Sequence, residues 1–320
     1  MRNTISAILL SLYSVVAFSQ VELKAVTYMP INKVEDSMEV FKTWAKEVED
    51  ISGGDLKVRL MGGPEVFPIN NQVSAASRGL VDLVVTFTPH ASIVPEVNTL
   101  ALSDISPQEE RENGYFELVD EAHRKINLRL LGRMASQSGF YIYSKVPIES
   151  LADFEGLKIR SHSGYDSIFK HLNSIPMSIG VGEIYSALER GIVDAAPYNF
   201  FVHDMGISEV TKYVLDNPFW FSHTTTLLMN NKKYESLTEQ QREWIQQATM
   251  NVEQQIPEIT ARLKAENKMK LEEEGMVFTR LSDEEAEQWR RLTRDTRFTD
   301  ISTRFDKDKL EKIKNLIVRD

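Results

Sequence analysis

The sequence predicts an α/β protein of two lobes, and three observations carry that reading. Its 320 residues are about twice the roughly 150 of an ordinary domain. Hydrophobic residues at 42% and aromatics at 9% suffice for packed cores and argue against disorder. A strand–helix–strand alternation begins twice, near residue 21 and again near residue 128, and parallel crossovers of that kind build α/β layers.

The first alternation opens with Val21–Tyr28, whose apolar residues recur every second position as in a strand. From Val34 to Ile51 the apolar positions Met38, Phe41, Trp44, Ala45 and Val48 follow helical spacing, and Gly53-Gly54 stops the helix. Leu56–Met61 reads as a second strand, Asn71–Arg78 as a helix closed by Gly79, and Val81–Val85 as a third strand. In the second alternation, Leu128–Leu131, Phe140–Tyr143 and Leu157–Arg160 read as strands. Helices are expected over Tyr165–Leu172 and Glu183–Arg190, and a strand over Ile192–Ala195. Ser150 with Asp153 forms a capping-box pattern, and Leu227–Asn230 looks like a strand returning to the first lobe. The remainder is helical. Thr238 with Gln241 opens a helix that runs to about Glu274 with an interior break at Pro257; Ser282 with Glu285 opens another, and Asp306–Arg319 is an amphipathic tail.

Residues 1–19 read as a secretory signal peptide. Arg2 supplies a positive start, Ile5–Phe18 is apolar, and Ala17-Phe18-Ser19 places small residues before a cut ahead of Gln20. The alternative is a membrane anchor, for which the apolar run falls short of the roughly 20 residues that span a bilayer. The expected product is a freely diffusing protein of a Gram-negative periplasm.

Composition excludes several functions. A formal charge of -10 does not suit a nucleic-acid binder, which needs a basic face. Without cysteine there are no disulfides, thiolate metal sites or cysteine nucleophiles. No nucleophile elbow, H-E-x-x-H pair or P-loop is present, and the histidines at 90, 123, 162, 171, 203 and 223 offer no i, i+4 ligand pair. Gly180-Val181-Gly182 lacks the third glycine of a dinucleotide fingerprint. No catalytic residue, metal or cofactor is therefore expected.

Three blocks carry a family resemblance. They are Asp153-Phe154-Glu155-Gly156-Leu157-Lys158-Ile159-Arg160, then Glu183 through Asp194 with Tyr185, Ala187, Leu188, Gly191 and Val193, and the stretch 231–244 that opens on Asn231. Gly53–Val58 and Gly79–Asp82 fall in matching places in the amino half. The chain resembles the DctP family, the solute-binding proteins of tripartite ATP-independent periplasmic (TRAP) transporters, over nearly all of its mature length.

The resemblance implies a two-lobed periplasmic binding protein fold, type II-like, with a long lobe-spanning helix and a ligand cleft between discontinuous lobes. The first lobe is expected to comprise 20–137 plus 226–264, and the second 138–225 plus 265–320. It also implies a small organic-acid ligand, TRAP permease membrane subunits as partners, and a monomer, with a dimer as the alternative. A binding protein of an ABC importer or a sensor would share the fold; a periplasmic α/β enzyme is the more distant rival.

The family's characteristic arginine corresponds to Arg160. A guanidinium suits that role because its planar fork accepts a carboxylate in two charge-assisted bonds. Spacing alone favours a structural salt bridge, for example with Asp194 or Glu183. Many relatives carry a second arginine where this chain has Phe140, and an asparagine near the position of Asn199. An aromatic wall of Phe87, Phe140, Tyr198, Phe219 and Trp220 would suit a monocarboxylate with an apolar or ring-bearing body, although each is individually compatible with a core position. Glu65 and Thr86 follow strands of the first lobe and so join the candidates, since ligands of open α/β sheets bind outside the carboxyl ends of strands. Glu65 could instead complement a helix dipole.

Overall fold

The computed structural model describes residues 20–319 apart from 88–89, 136–138, 163, 203–204 and 221–223. The leader read over 1–19 and the side chains of Phe219 and Trp220 lie outside the described residues. The strands, in chain order, are β1 (Val21–Thr27), β2 (Leu56–Gly62), β3 (Leu83–Thr86), β4 (Leu128–Ala135), β5 (Phe140–Ser144), β6 (Lys158–Ser161), β7 (Ile175–Ser178), β8 (Ala195–Tyr198), β9 (Tyr213–Trp220), β10 (Thr225–Asn230) and β11 (Val277–Thr279).

They form two sheets. The first has the order β2-β1-β3-β10-β4, with β1, β2 and β3 parallel and β10 antiparallel to both neighbours. The second runs β11-β9-β5-β8-β6-β7, with β5 antiparallel to β8 and β9. The chain passes between the sheets twice along strands, from β4 into β5 and from β9 into β10. This is the α/β, two-lobed arrangement expected from the alternation.

The amphipathic pattern at 34–51 becomes the helix Asp36–Ile51, which buries Met38 and packs Val40, Phe41, Trp44 and Val48 into the core of the first sheet beside β2 and β4. Each such side chain contributes about 1.5–3 kcal/mol on burial. Trp44 Nε1 donates to Thr249 Oγ1 at 2.9 Å, fastening this helix to the helix Glu239–Glu253. That second helix starts on the expected capping box, with Gln241 N donating to Thr238 Oγ1 and Thr238 N to Gln241 Oε1.

Two helices bridge the sheets, where the sequence suggested one. In Ile256–Glu273, Ile256 packs with the core of the first sheet and Leu271 with that of the second. In Asp283–Ser302, Trp289 sits in the second lobe against Phe154, and Phe298 and Ile301 belong to the first. The closing helix Lys307–Ile317 also packs its Ile313 and Ile317 on the first lobe. Residues 265–320, assigned by the sequence to the second lobe, are therefore shared. The break near Pro257 falls at Gln254-Gln255, because the proline occupies the first turn of the second helix, where its missing N–H has no intrahelical partner to lose.

One strand starts later than its hydrophobic pattern suggests. Ile192 N and Val193 N both donate to Ala187 O, closing the preceding helix over Gly191 at φ 68°, so β8 begins only at Ala195. No helix among the described residues is long and apolar enough to cross a membrane.

Candidate functional site

A cavity of about 540 Å³ lies between the two sheets, within the usual size of small-ligand sites. Strand carboxyl ends supply much of its wall. Tyr28 follows β1, Phe87 follows β3, Arg160 stands in β6, and Tyr198 ends β8.

Arg160 is only 4% exposed. Its Nε donates to Ile179 O at 3.0 Å and its Nη1 to the Tyr165 hydroxyl, which fixes the plane of the guanidinium. No carboxylate pairs with it among the described residues. The two acids that spacing offered are engaged elsewhere: Asp194 Oδ2 accepts from Lys158 N at 3.3 Å, and Glu183 Oε2 from Gly180 N at 3.2 Å. The Arg160 side chain thus carries a buried positive charge at a cavity wall, the costly arrangement that an anion relieves.

Aromatic rings cover much of the remaining surface. Tyr28 meets Phe87 edge-on with centroids 5.4 Å apart, and Phe140 meets Tyr198 edge-on at 6.4 Å. Burial, and then the charge of Glu35, push the Tyr198 phenol up to about 12, so it is a neutral donor at working pH.

Glu35 is the acid of the site. It is 2% exposed, precedes the helix Asp36–Ile51, and does not cap it. Its Oε2 accepts from the Tyr28 hydroxyl at 2.6 Å, and its Oε1 from Asn199 Nδ2 at 3.0 Å. Phe201 N donates to Asn199 Oδ1 at 3.0 Å, which orients the amide so that its NH₂ meets Glu35. Glu35 belongs to the first lobe and Asn199 to the end of the second lobe's β8, so this bond ties one lobe to the other.

Of the sequence candidates, Arg160, Phe140, Tyr198, Asn199 and Phe87 meet at this cavity. Glu65 does not: its Oε1 turns back to accept from Gly63 N at 2.7 Å, a bond that also lowers its pKa. Thr86 does not either. It is fully buried inside the sheet, and strand alternation sends its neighbour Phe87 to the cavity instead. The side chains of Phe219 and Trp220 lie outside the described residues.

Sequence reasoning missed Tyr28, Glu35, His162 and Tyr165. Tyr28 sits just past the carboxyl end of β1, so the strand-end rule that points to Glu65 and Thr86 also reaches it. Among the described residues no cluster of three or more His, Asp or Glu side chains could hold a metal ion.

Two lobes, a cleft between them and a guanidinium in its wall with no acid partner among the described residues are features of a ligand-capturing protein of the periplasmic-binding class. The family model for bacterial extracellular solute-binding protein, family 7 (DctP), matches residues 31–296, and the chain belongs to that family. The ectoine-binding periplasmic protein TeaA of Halomonas elongata is 27% identical over 175 residues, covering 53% of this chain and half of TeaA's length. A TRAP periplasmic solute-binding protein from Ochrobactrum anthropi, with its C-terminus bound in the ligand-binding pocket, superposes with a TM-score of 0.81 at 18% identity, covering 94% of this chain and 95% of that one. Another from Desulfovibrio salexigens, with bound orotic acid, gives 0.77 at 16% identity, over 92% and 97%.

Proposed function

We propose that this protein captures a small organic monocarboxylate, one with a ring or apolar body, and delivers it to the membrane subunits of a TRAP permease. The observation that carries the reading is Arg160, a buried guanidinium in the wall of the cleft with no acid partner among the described residues. A carboxylate there gains two charge-assisted bonds, while Phe87, Phe140 and Tyr198 cover its body. The likeness to TeaA and to the orotate-bound structure supports a compact, ring-bearing ligand.

Arg133 and Lys145, the nearby cations in sequence, do not line the cleft. Among the described residues that line the cleft, Arg160 is the one Lys or Arg, so a second carboxylate would be buried beside no further one of them at considerable cost. The two lobes close over the ligand, which favours the closed form through contacts to both. We place the export signal at 1–19, with cleavage ahead of Gln20.

Calorimetry with orotate, pyroglutamate, D-glucuronate, ectoine, succinate and malate at one ionic strength tests the ligand class. Binding of a monocarboxylate that the dicarboxylates fail to displace is expected; tight succinate or malate binding with no competing monocarboxylate would refute it. Mass spectrometry of protein recovered from periplasm should show a chain starting at Gln20.

A further inference from the structure

We propose that His162 is an uncharged hydrogen-bond donor to the ligand's anionic group, set beside Arg160 so that this wall of the cleft carries a single positive charge. The inference rests on the reading of Arg160 as the carboxylate-binding residue and adds the group that sets selectivity for charge.

His162 follows β6 directly and lines the same cavity as Arg160 and Tyr165. Its ring lies 4.0 Å from that of Tyr165, centroid to centroid, and the Tyr165 hydroxyl accepts from Arg160. Arg160, Tyr165 and His162 therefore make one continuous wall.

The loop fixes the tautomer. Gly164 N donates to His162 Nδ1 at 2.8 Å. An amide N–H can only donate, so Nδ1 holds a lone pair and the neutral ring carries its proton on Nε2. Gly164 also lies close against the imidazole: a Cβ on residue 164 would lie 2.4 Å from His162 Cε1, so a larger residue there would displace the ring. Nε2–H makes no hydrogen bond to another described residue and remains a donor for the cavity.

The surroundings keep the ring neutral. A proton on Nδ1 would face the Gly164 N–H. His162 is exposed at the cleft, yet partial loss of solvation there, then the positive charges of Arg160 and of Arg297 on the bridging helix, hold the pKa down to about 4, with Asp166 acting in the opposite direction. The imidazole thus supplies a dipole to an incoming carboxylate without supplying a second charge. A monoanion is matched by Arg160 alone, and a dianion keeps one charge unpaired.

The test has two parts. Imidazole nitrogen–proton correlation NMR of the ligand-free protein should show His162 as the Nε2–H tautomer, with no titration near pH 6.5. An Nδ1–H tautomer, or a titration at that ordinary pH, overturns the proposal. In calorimetry with orotate, pyroglutamate and D-glucuronate, His162→Ala should weaken the tightest of the three roughly ten- to a hundredfold, the worth of a hydrogen bond to a charged group. His162→Gln, which keeps an N–H donor, should recover part of that loss, and His162→Arg should gain affinity for succinate. Unchanged affinity in His162→Ala, with binding lost in Arg160→Ala, removes His162 and leaves the Arg160 reading intact. Unchanged affinity in both variants removes both.

Discussion

Arg133 and Arg160 are both buried, at 1% and 4% exposure, on strands of the two different sheets, yet their surroundings are opposites. Arg133 Nη1 reaches both oxygens of Glu110, at 2.9 and 3.1 Å, and Nη2 donates to Leu100 O at 3.0 Å. Burial pushes the Glu110 carboxyl up and Arg133 pulls it back, so the two ions hold each other in place. Arg160 has a carbonyl and a phenol but no acid among the described residues. Sequence spacing cannot separate the two arginines, because each stands next to apolar residues within a strand. What separates them is the partner: an internal acid makes a buried arginine part of the scaffold, and its absence in a cleft makes the arginine a receptor.

The contrast is tested most strongly at Arg133. Arg133→Ala leaves Glu110 buried alone and should cost about 3–5 kcal/mol of stability in urea unfolding; the pair exchange Arg133→Met with Glu110→Leu should restore most of it. Arg160→Ala should do the reverse. It should lose about 2–5 kcal/mol of ligand affinity in calorimetry, much of it the penalty on the ligand charge left unpaired, while the empty protein melts no lower than wild type. A variant that binds within threefold of wild type would move Arg160 into the scaffold class.

The histidine pair extends the contrast to titration. His123 Nδ1 donates to Val119 O, so its Nε2 accepts from His90 Nε2 at 3.0 Å, and His90 Nδ1 is left as a buried lone pair with no partner among the described residues. Burial, and then His123, hold His90 down to about 3, and burial also lowers His123. Below the ordinary pKa of 6.5 the unfolded chain then binds more protons than the folded one. Stability should fall as pH drops from there toward about 3, by up to about 1.4 kcal/mol per pH unit from His90, with His123 acting in the same direction. Urea titrations across that range should show a shallower slope for His90→Asn.

The smallest effect is expected at the lobe-to-lobe bond. Asn199→Ala removes the donor to Glu35 and should weaken ligand binding by about 0.5–1.5 kcal/mol, together with a larger radius of gyration of the ligand-free protein in solution scattering. An unchanged scattering profile would show that Asn199 does not hold the lobes.

Much of the fold was legible because local signals agreed. Met38, Phe41 and Trp44 marked the first helix, and Thr238 with Gln241 its partner's start. The strand β9 was not legible, since Asp216-Asn217-Pro218 interrupts its apolar run. Only the tertiary structure supplies Asp216 with Lys264, Lys268 and Arg280, and places Pro218 where the ladder to β5 shifts register. Three-residue β11 has no pattern long enough to read and exists because β9 offers it an edge. In the cleft, strand ends and the Arg160 motif pointed to one wall. Glu35 left no trace, because an acid before a helix reads as a cap and its Asn199 partner lies 164 residues away.

The place of β10 has a consequence for how the chain folds. It is inserted between β3 and β4 although some 140 residues separate Thr226 from its neighbour Thr86. A growing chain that has not reached residue 225 therefore has its first sheet in two pieces, with the inner edges of β3 and β4 unpaired. Such non-local pairing is slow to form, and the unfinished edges invite pairing with other chains. The nascent protein must stay unassembled until about two-thirds of it has been made, which is also the condition in which a chain can be threaded across a membrane before it folds.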